Sequence, residues 1–405
     1  MSPKRALRLL VLAAWLGGCA TETDPPDARG PADAGTPLRL ALGPTVSGGV
    51  SQRIVTLHVA MGHGRGVAAL TPWAGPAGEW GPQVAQVVEL DGEAQSVSEP
   101  TYLELPLLGL PYVLDVIETE AGFLVFIGLS PPGDETDILF AVELGPDLAQ
   151  VGITEVSREY YQPFLASFVR VGDAILAGWS GGGPRPRLAW LDLRGRPTSE
   201  VPLPPFGCVS ALAAGPEVAL ALVHSGRTLE DQRTHVLWVD PSAGIPPLMT
   251  PVPPTVESHN VVDGTLEDSG LICIDQHVVL ATLRDGGFLI DAFGGTWRGD
   301  VTSVTPIPRA SQGRAFSQLG RGLTTTRATV SAVLTAETSE PLHLIVQRWT
   351  ATGEVEDTAR VADILEVGWP VGAPFDLTSI DEARLLVAYA NTSTPGPHFQ
   401  VVTLE

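Results

Sequence analysis

The residues best able to do chemistry lie in turn-rich stretches between apolar runs. The longest such stretch, residues 250–270, contains Glu257, His259 and Asp263. Carboxylates beside a histidine can bind a divalent cation or act as general acid and base. Their spacing matches no calcium-binding loop, and the loops of an acidic protein are acidic by default. We interpret this stretch as a candidate ligand-binding loop and not as a catalytic motif.

Arginines and aromatic residues supply two further candidate sets. Arg309 and Arg314 share one inter-strand segment, where guanidinium groups can hold a carboxylate or a sulfated sugar. Tyr160, Tyr161 and Trp369 precede apolar runs, where aromatic rings can bind sugars or prolines. Charge balance and packing between sheets are the structural alternatives. The sequence therefore gives candidates for a ligand-binding face, but it predicts no catalytic residue and no metal or cofactor site.

The first nineteen residues have the pattern of an export signal. A basic start is followed by the apolar run 9–16 and then by small residues up to Cys19. The run is too short to cross a bilayer. Residues 16–19, Leu-Gly-Gly-Cys, resemble the lipobox of bacterial lipoproteins. That resemblance implies cleavage after residues 1–18, a lipid on Cys19 and, because Ala20 follows in place of an aspartate, an outer-membrane anchor facing the periplasm or the cell surface.

Two cysteines remain beyond the signal. Residues 19–37 contain no aliphatic side chain larger than alanine, so we predict a disordered tether there and a folded domain over 38–405. Cys208 and Cys273 both begin apolar strand-like runs. In an oxidising compartment they can form one disulfide or remain two buried thiols.

A short strand pattern recurs through the folded part at intervals of 47 to 59 residues. It occurs seven times, at 87–90, 141–144, 189–193, 237–240, 288–291, 345–349 and 401–404. We call each occurrence a landmark. Two further strands come before each landmark, the nearer of which is apolar, and a more polar segment comes after it. Four antiparallel strands at such a period are typical of a β-propeller blade. The chain therefore resembles an all-β, seven-bladed β-propeller, with a six-bladed or irregular ring as the alternative.

The landmark at 401–404 ends the chain, so the last blade lacks a fourth strand in the repeat. Residues 38–46 form an unassigned strand candidate directly after the tether. We expect this segment to pair with 399–404 and to close the ring, which would leave no long exposed edge.

Charge and motifs limit the possible functions. The net charge of −22 argues against nucleic acid as a partner, because phosphate binding depends on lysine and arginine. The strands are well specified, whereas the loops carry no convergent catalytic set, which favours a non-enzymatic binding or scaffold role toward a protein or glycan. The alternative is a hydrolase or lyase acting on a glycan or lactone in the central channel. Three or more acids or histidines converging at one mouth of the channel would favour that alternative.

Overall fold

The computed structural model describes residues in the range Arg39–Glu405. Within it the described residues are 39–405, apart from the following positions: 49, 51, 74–83, 134–135, 161–165, 181–185, 204–206, 216–217, 226–232, 242–246, 254–277, 284–285, 293–294, 308–320, 336–341, 365–373 and 392–393. No helix long and apolar enough to span a membrane is found among these residues.

The described residues form seven four-stranded antiparallel sheets, which confirms the predicted seven-bladed propeller. Blades 1 to 4 contain β2 (Ile54–Gly62), β3 (Arg65–Pro72), β4 (Gln86–Asp91) and β5 (Thr101–Tyr102); β6 (Leu110–Thr119), β7 (Gly122–Ser130), β8 (Asp137–Leu144) and β9 (Gln150–Tyr160); β10 (Ala166–Val171), β11 (Ala174–Ser180), β12 (Pro186–Asp192) and β13 (Pro197–Glu200); and β14 (Gly207–Ala214), β15 (Ala219–Ser225), β16 (Arg233–Val239) and β17 (Leu248–Val252).

Blades 5 to 7 contain β18 (Val278–Thr282), β19 (Phe288–Ala292), β20 (Gly295–Gly299) and β21 (Val304–Ile307); β22 (Arg321–Thr324), β23 (Thr329–Thr335), β24 (Leu342–Trp349) and β25 (Val355–Ile364); and β26 (Phe375–Ser379), β27 (Arg384–Ala390), β28 (Pro397–Leu404) and β1 (Leu40–Ser47). In every blade the strand that comes first in the repeat is an edge strand of its sheet. We call these the inner strands, because they lie side by side around the centre of the ring, with the last next to the first. They are β2, β6, β10, β14, β18, β22 and β26.

The sequence misplaced the strands of blade 5. The repeat predicts that the landmark 288–291 is the third strand and that the apolar run before it, 278–283, is the second. In the structure β18 is the inner strand, and β19 is the second strand of the sheet. Both runs are short, apolar and buried, and such a run carries no periodicity that distinguishes an inner strand from its neighbour.

Strand β1 supplies the outer strand of blade 7. It pairs with β28, with Leu40 opposite Leu404 and Val46 opposite Phe399. Beyond the last pair, Arg39 and Glu405 exchange two backbone hydrogen bonds. The seventh sheet is therefore built from both ends of the described domain.

The hydrophobic core lies between neighbouring blades. Val67 and Val87 of blade 1 pack with Phe123 and Val125 of blade 2, and comparable clusters fill the other interfaces. Both faces of these strands are covered, which explains why their sequences are uninterrupted apolar runs.

Some of the acidic residues shape the outer turns. The Asp91 carboxylate accepts backbone N–H bonds from Glu93 and Gln95, and Asp192 accepts the equivalent bonds from Arg194 and Arg196. Aspartates form such local bonds readily in turns. Part of the net negative charge thus closes hairpins and does not form a binding surface.

Candidate functional site

A cavity of about 450 Å³ lies at the centre of the ring, and all seven inner strands contribute to its wall. Most of the lining side chains are small or aliphatic. Each inner strand also turns its unpartnered sheet edge, with backbone N–H and C=O groups, away from its own blade. The cavity therefore combines apolar side chains with backbone donors and acceptors.

Three buried ionisable side chains converge on this cavity from three consecutive blades. His58 lies on β2 of blade 1, Asp115 on β6 of blade 2, and Asp376 on β26 of blade 7. One ligand atom from each residue lies within 4.8 Å of the other two. We call these three residues the channel cluster.

The propeller repeat places the three residues at one level. His58 pairs with Ala69, Asp115 with Phe126, and Asp376 with Ala388. In each case the partner is the fifth residue of the second strand of the blade. Residues at equivalent register positions on adjacent inner strands necessarily come close together in the ring. This shared register explains why the three side chains converge in the channel.

Backbone amides hold the two carboxylates. Asp376 accepts a 2.9 Å hydrogen bond from the N–H of Val59 in the next blade and another of 2.9 Å from the N–H of Leu377. Asp115 accepts a 2.9 Å bond from the N–H of Val116. His58 Nδ1 lies 3.7 Å from Asp376 Oδ2. All three residues are less than 10% exposed.

A second polar group lies near the hairpin end of the channel. Arg170 donates a 2.9 Å bond to the carbonyl oxygen of Glu118 and lies 3.5 Å from its carboxylate. His63, in the turn after β2, lies 3.8 Å from the same carboxylate, and its ring hydrogen-bonds the Thr119 carbonyl group. These contacts join blades 1, 2 and 3 and balance charge locally, so this group is part of the architecture.

Asp137, on the opposite, loop-bearing face, has a perturbed carboxyl group. Burial raises the pKa of Asp137 above its usual range, and the Ser130 hydroxyl, which donates at 2.6 Å, partly opposes that increase. Burial also raises the pKa of Tyr112, and the charge of Asp137 adds to the effect. Asp137 and Tyr112 by themselves are short of a catalytic set.

Residues 178–182, Gly-Trp-Ser-Gly-Gly, have the Gly-x-Ser-x-Gly spacing of a nucleophile elbow. A nucleophile elbow requires the serine at a sharp turn from a strand into a helix. Here Ser180 ends β11 and pairs with Pro186 at the start of β12, so the chain returns as an antiparallel hairpin. The surrounding structure therefore does not support a serine-hydrolase site.

Most of the sequence-predicted site residues lie outside the described residues. These are Cys19, Tyr161, Glu257, His259, Asp263, Cys273, Arg309, Arg314 and Trp369. Tyr160 ends β9 and pairs through its backbone with Asp137, and Cys208 lies on β14 opposite His224. The ligand-face candidates and the disulfide consequently stay predictions.

Local spacing in the sequence does not reveal the channel cluster. Its members are separated by 57 and 261 residues, and only the blade register brings them together. A usable signal was present. Asp115 and Asp376 interrupt apolar inner-strand segments, and His58 does the same in β2. A lone ionisable residue at one repeat position in several blades is a pattern that a blade alignment can detect.

Comparison with known proteins gives similarity in fold. No protein family matches the sequence, and no curated protein does. The BP39L lectin from Burkholderia pseudomallei is similar over 87% of this chain and 96% of its own, with a TM-score of 0.57 and 11% identity. A protein of unknown function from Dyadobacter fermentans covers 90% of this chain and 99% of its own, with a TM-score of 0.51 and 11% identity.

A third similar structure is the β-propeller domain of the Trilobed protease from Pyrococcus furiosus, described as having an open velcro topology. The similarity covers 87% of this chain and 95% of that one, with a TM-score of 0.50 and 8% identity. At such identities the likeness extends to the fold and not to the activity. The chain is a seven-bladed β-propeller.

Proposed function

We propose that this protein is a lipid-anchored component of the bacterial envelope that binds its partner non-enzymatically through the propeller. The lipobox-like residues 16–19 support the anchor, with Cys19 as the lipidated residue and the outer membrane as the destination. The tether 19–37 then separates the propeller from the membrane surface. The domain faces the periplasm or the cell surface.

The central cavity carries the binding part of the proposal. Its volume of about 450 Å³ is within the range typical of small-ligand sites. Sheet edges around the cavity offer backbone donors and acceptors, which suit the hydroxyl groups of a glycan unit. A folded protein partner would require the wider loop face. Between the two partner classes, the cavity favours a glycan.

The burial of the channel cluster supports binding over catalysis. Both carboxylates accept backbone N–H bonds, and the side chains are almost fully covered. A general base must reach a substrate proton within hydrogen-bonding distance. Carboxylates fixed to the backbone in this way are better suited to holding an ion than to accepting a substrate proton.

Titration calorimetry of the full chain against a panel of envelope glycan fragments tests the proposal. We expect saturable binding of at least one fragment, with the ligand recovered intact by mass spectrometry. Ser167, at the cluster's register position in blade 3, lines the same cavity. A bulky replacement, Ser167→Phe, should weaken that binding. Absence of binding to every fragment would contradict a glycan-binding role.

A hydrolase or lyase acting on a glycan or lactone in the channel is the second candidate. The convergence of a histidine and two aspartates in the channel favours it. Product formation from a glycan or lactone substrate, abolished by Asp115→Asn, would establish catalysis and replace the binding proposal.

A further inference from the structure

We propose that His58, Asp115 and Asp376 bind one divalent transition-metal ion in the central channel. The inference concerns an ion and not the ligand of the propeller. It therefore holds whether that ligand is a glycan or a protein, and it can fail independently of the proposed function.

The donor set has the chemistry of such a site. One imidazole nitrogen and two carboxylates suit zinc or manganese, whereas magnesium and calcium prefer oxygen ligands throughout. Three protein ligands leave a fourth position on a tetrahedral ion. The adjoining cavity of about 450 Å³ can supply that position with water or with an oxygen of a bound ligand.

The distances are close to those of a formed site. Bonds of about 2.0–2.2 Å in a tetrahedral centre place neighbouring ligand atoms about 3.3–3.6 Å apart. The separation of 3.7 Å between His58 Nδ1 and Asp376 Oδ2 is only slightly longer. The three ligand atoms span at most 4.8 Å, so small side-chain rotations complete the set.

Charge gives the physical reason for an ion. Asp115 and Asp376 place two carboxylates in a covered part of the channel, where charge is costly unless it is compensated. A divalent cation carries the two positive charges that balance these two carboxylates. An oxygen that already accepts an N–H bond can still coordinate a cation, because it has a second lone pair.

The competing explanation is structural. Asp376 joins blade 7 to blade 1 through its bond to the Val59 amide, and a purely architectural aspartate would do the same. That role requires neither His58 nor Asp115. The two explanations therefore differ in whether all three residues affect the binding of one ion.

The test is zinc binding by the full chain in detergent after dialysis against a chelator. Calorimetric titration with zinc chloride should show one saturable site per chain, and the melting temperature should rise with zinc concentration. His58→Gln and Asp115→Asn each remove one ligand while keeping side-chain size. Each should weaken zinc binding by at least the roughly 10–100-fold that loss of an outer-shell partner of a metal ligand typically costs.

His343→Gln is the matched control. His343 also lies beside an aspartate, with Nδ1 3.1 Å from Asp363 Oδ1, but this pair is outside the channel. The control should retain the zinc affinity of the parent. The inference is wrong if the parent shows no saturable zinc site, or if His58→Gln and Asp115→Asn bind zinc as tightly as the parent. A melting curve of each variant without zinc identifies any that fail to fold, and the remaining variant then decides.

Discussion

Removing β1 tests how blade 7 is built. Deletion of residues 38–47 takes away the strand that pairs with β28 through six registered residue pairs. At about 0.5–1.5 kcal/mol net per hydrogen bond, six ladder bonds correspond to about 3–9 kcal/mol. With an unfolding entropy of about 2.1 cal/mol/K per residue, a propeller of this size should lose about 4–12 °C in melting temperature.

Differential scanning calorimetry of the parent and the deletion variant measures the effect. A deletion of the same length inside the predicted tether, residues 26–35, is the control and should leave the transition where it is. A melt that does not change after removal of 38–47 would refute the reasoning. It would mean that β28 forms a stable edge without its partner.

Three further predictions concern single residues. Because the folded-state pKa of Asp137 is raised, its ionisation destabilises the fold as the pH rises through that pKa. Asp137→Asn should therefore melt above the parent at pH 7, and the gap should narrow toward pH 4; a gap independent of pH would contradict this. Gly195 has φ of +75°, and an added Cβ would lie 2.2 Å from that of Ala141, so Gly195→Ala should cost about 2–5 kcal/mol in chemical denaturation. Gly172, with φ of +57° and open space around it, is the control, at about 1–2 kcal/mol; equal losses would rule out the clash. Cys19→Ser should abolish lipid attachment and membrane association, as measured by mass spectrometry and fractionation; a variant that stays in the membrane fraction would exclude the lipid anchor.

Much of the fold could be predicted because the propeller repeats its pattern. In six blades the third-strand landmark and the apolar strand before it fall on the expected strands, since buried strands of fixed length are separated by turn residues. The predicted strand order of blade 5 was wrong because the prediction relied on short apolar runs. In blade 5 the inner strand β18 and the second strand β19 are both short and apolar, so burial alone does not reveal the position of either in the sheet.

The candidate site could not be predicted by the same means. His58 and Asp376 become neighbours only because blade 7 lies beside blade 1, and Asp115 joins them through the register of blade 2. Local sequence favoured the acidic loop at 250–270, whose residues stand close together in the chain. Proximity in sequence identifies turns and caps, whereas convergence in a propeller channel depends on the strand register of several blades.

The most direct test of the channel cluster is anomalous diffraction at the zinc absorption edge from crystals of the full chain grown with zinc. We predict one anomalous peak about 2.0–2.2 Å from a ring nitrogen of His58 and from carboxylate oxygens of Asp115 and Asp376. An ordered channel without a peak at this position, or with zinc held only elsewhere, would contradict the prediction.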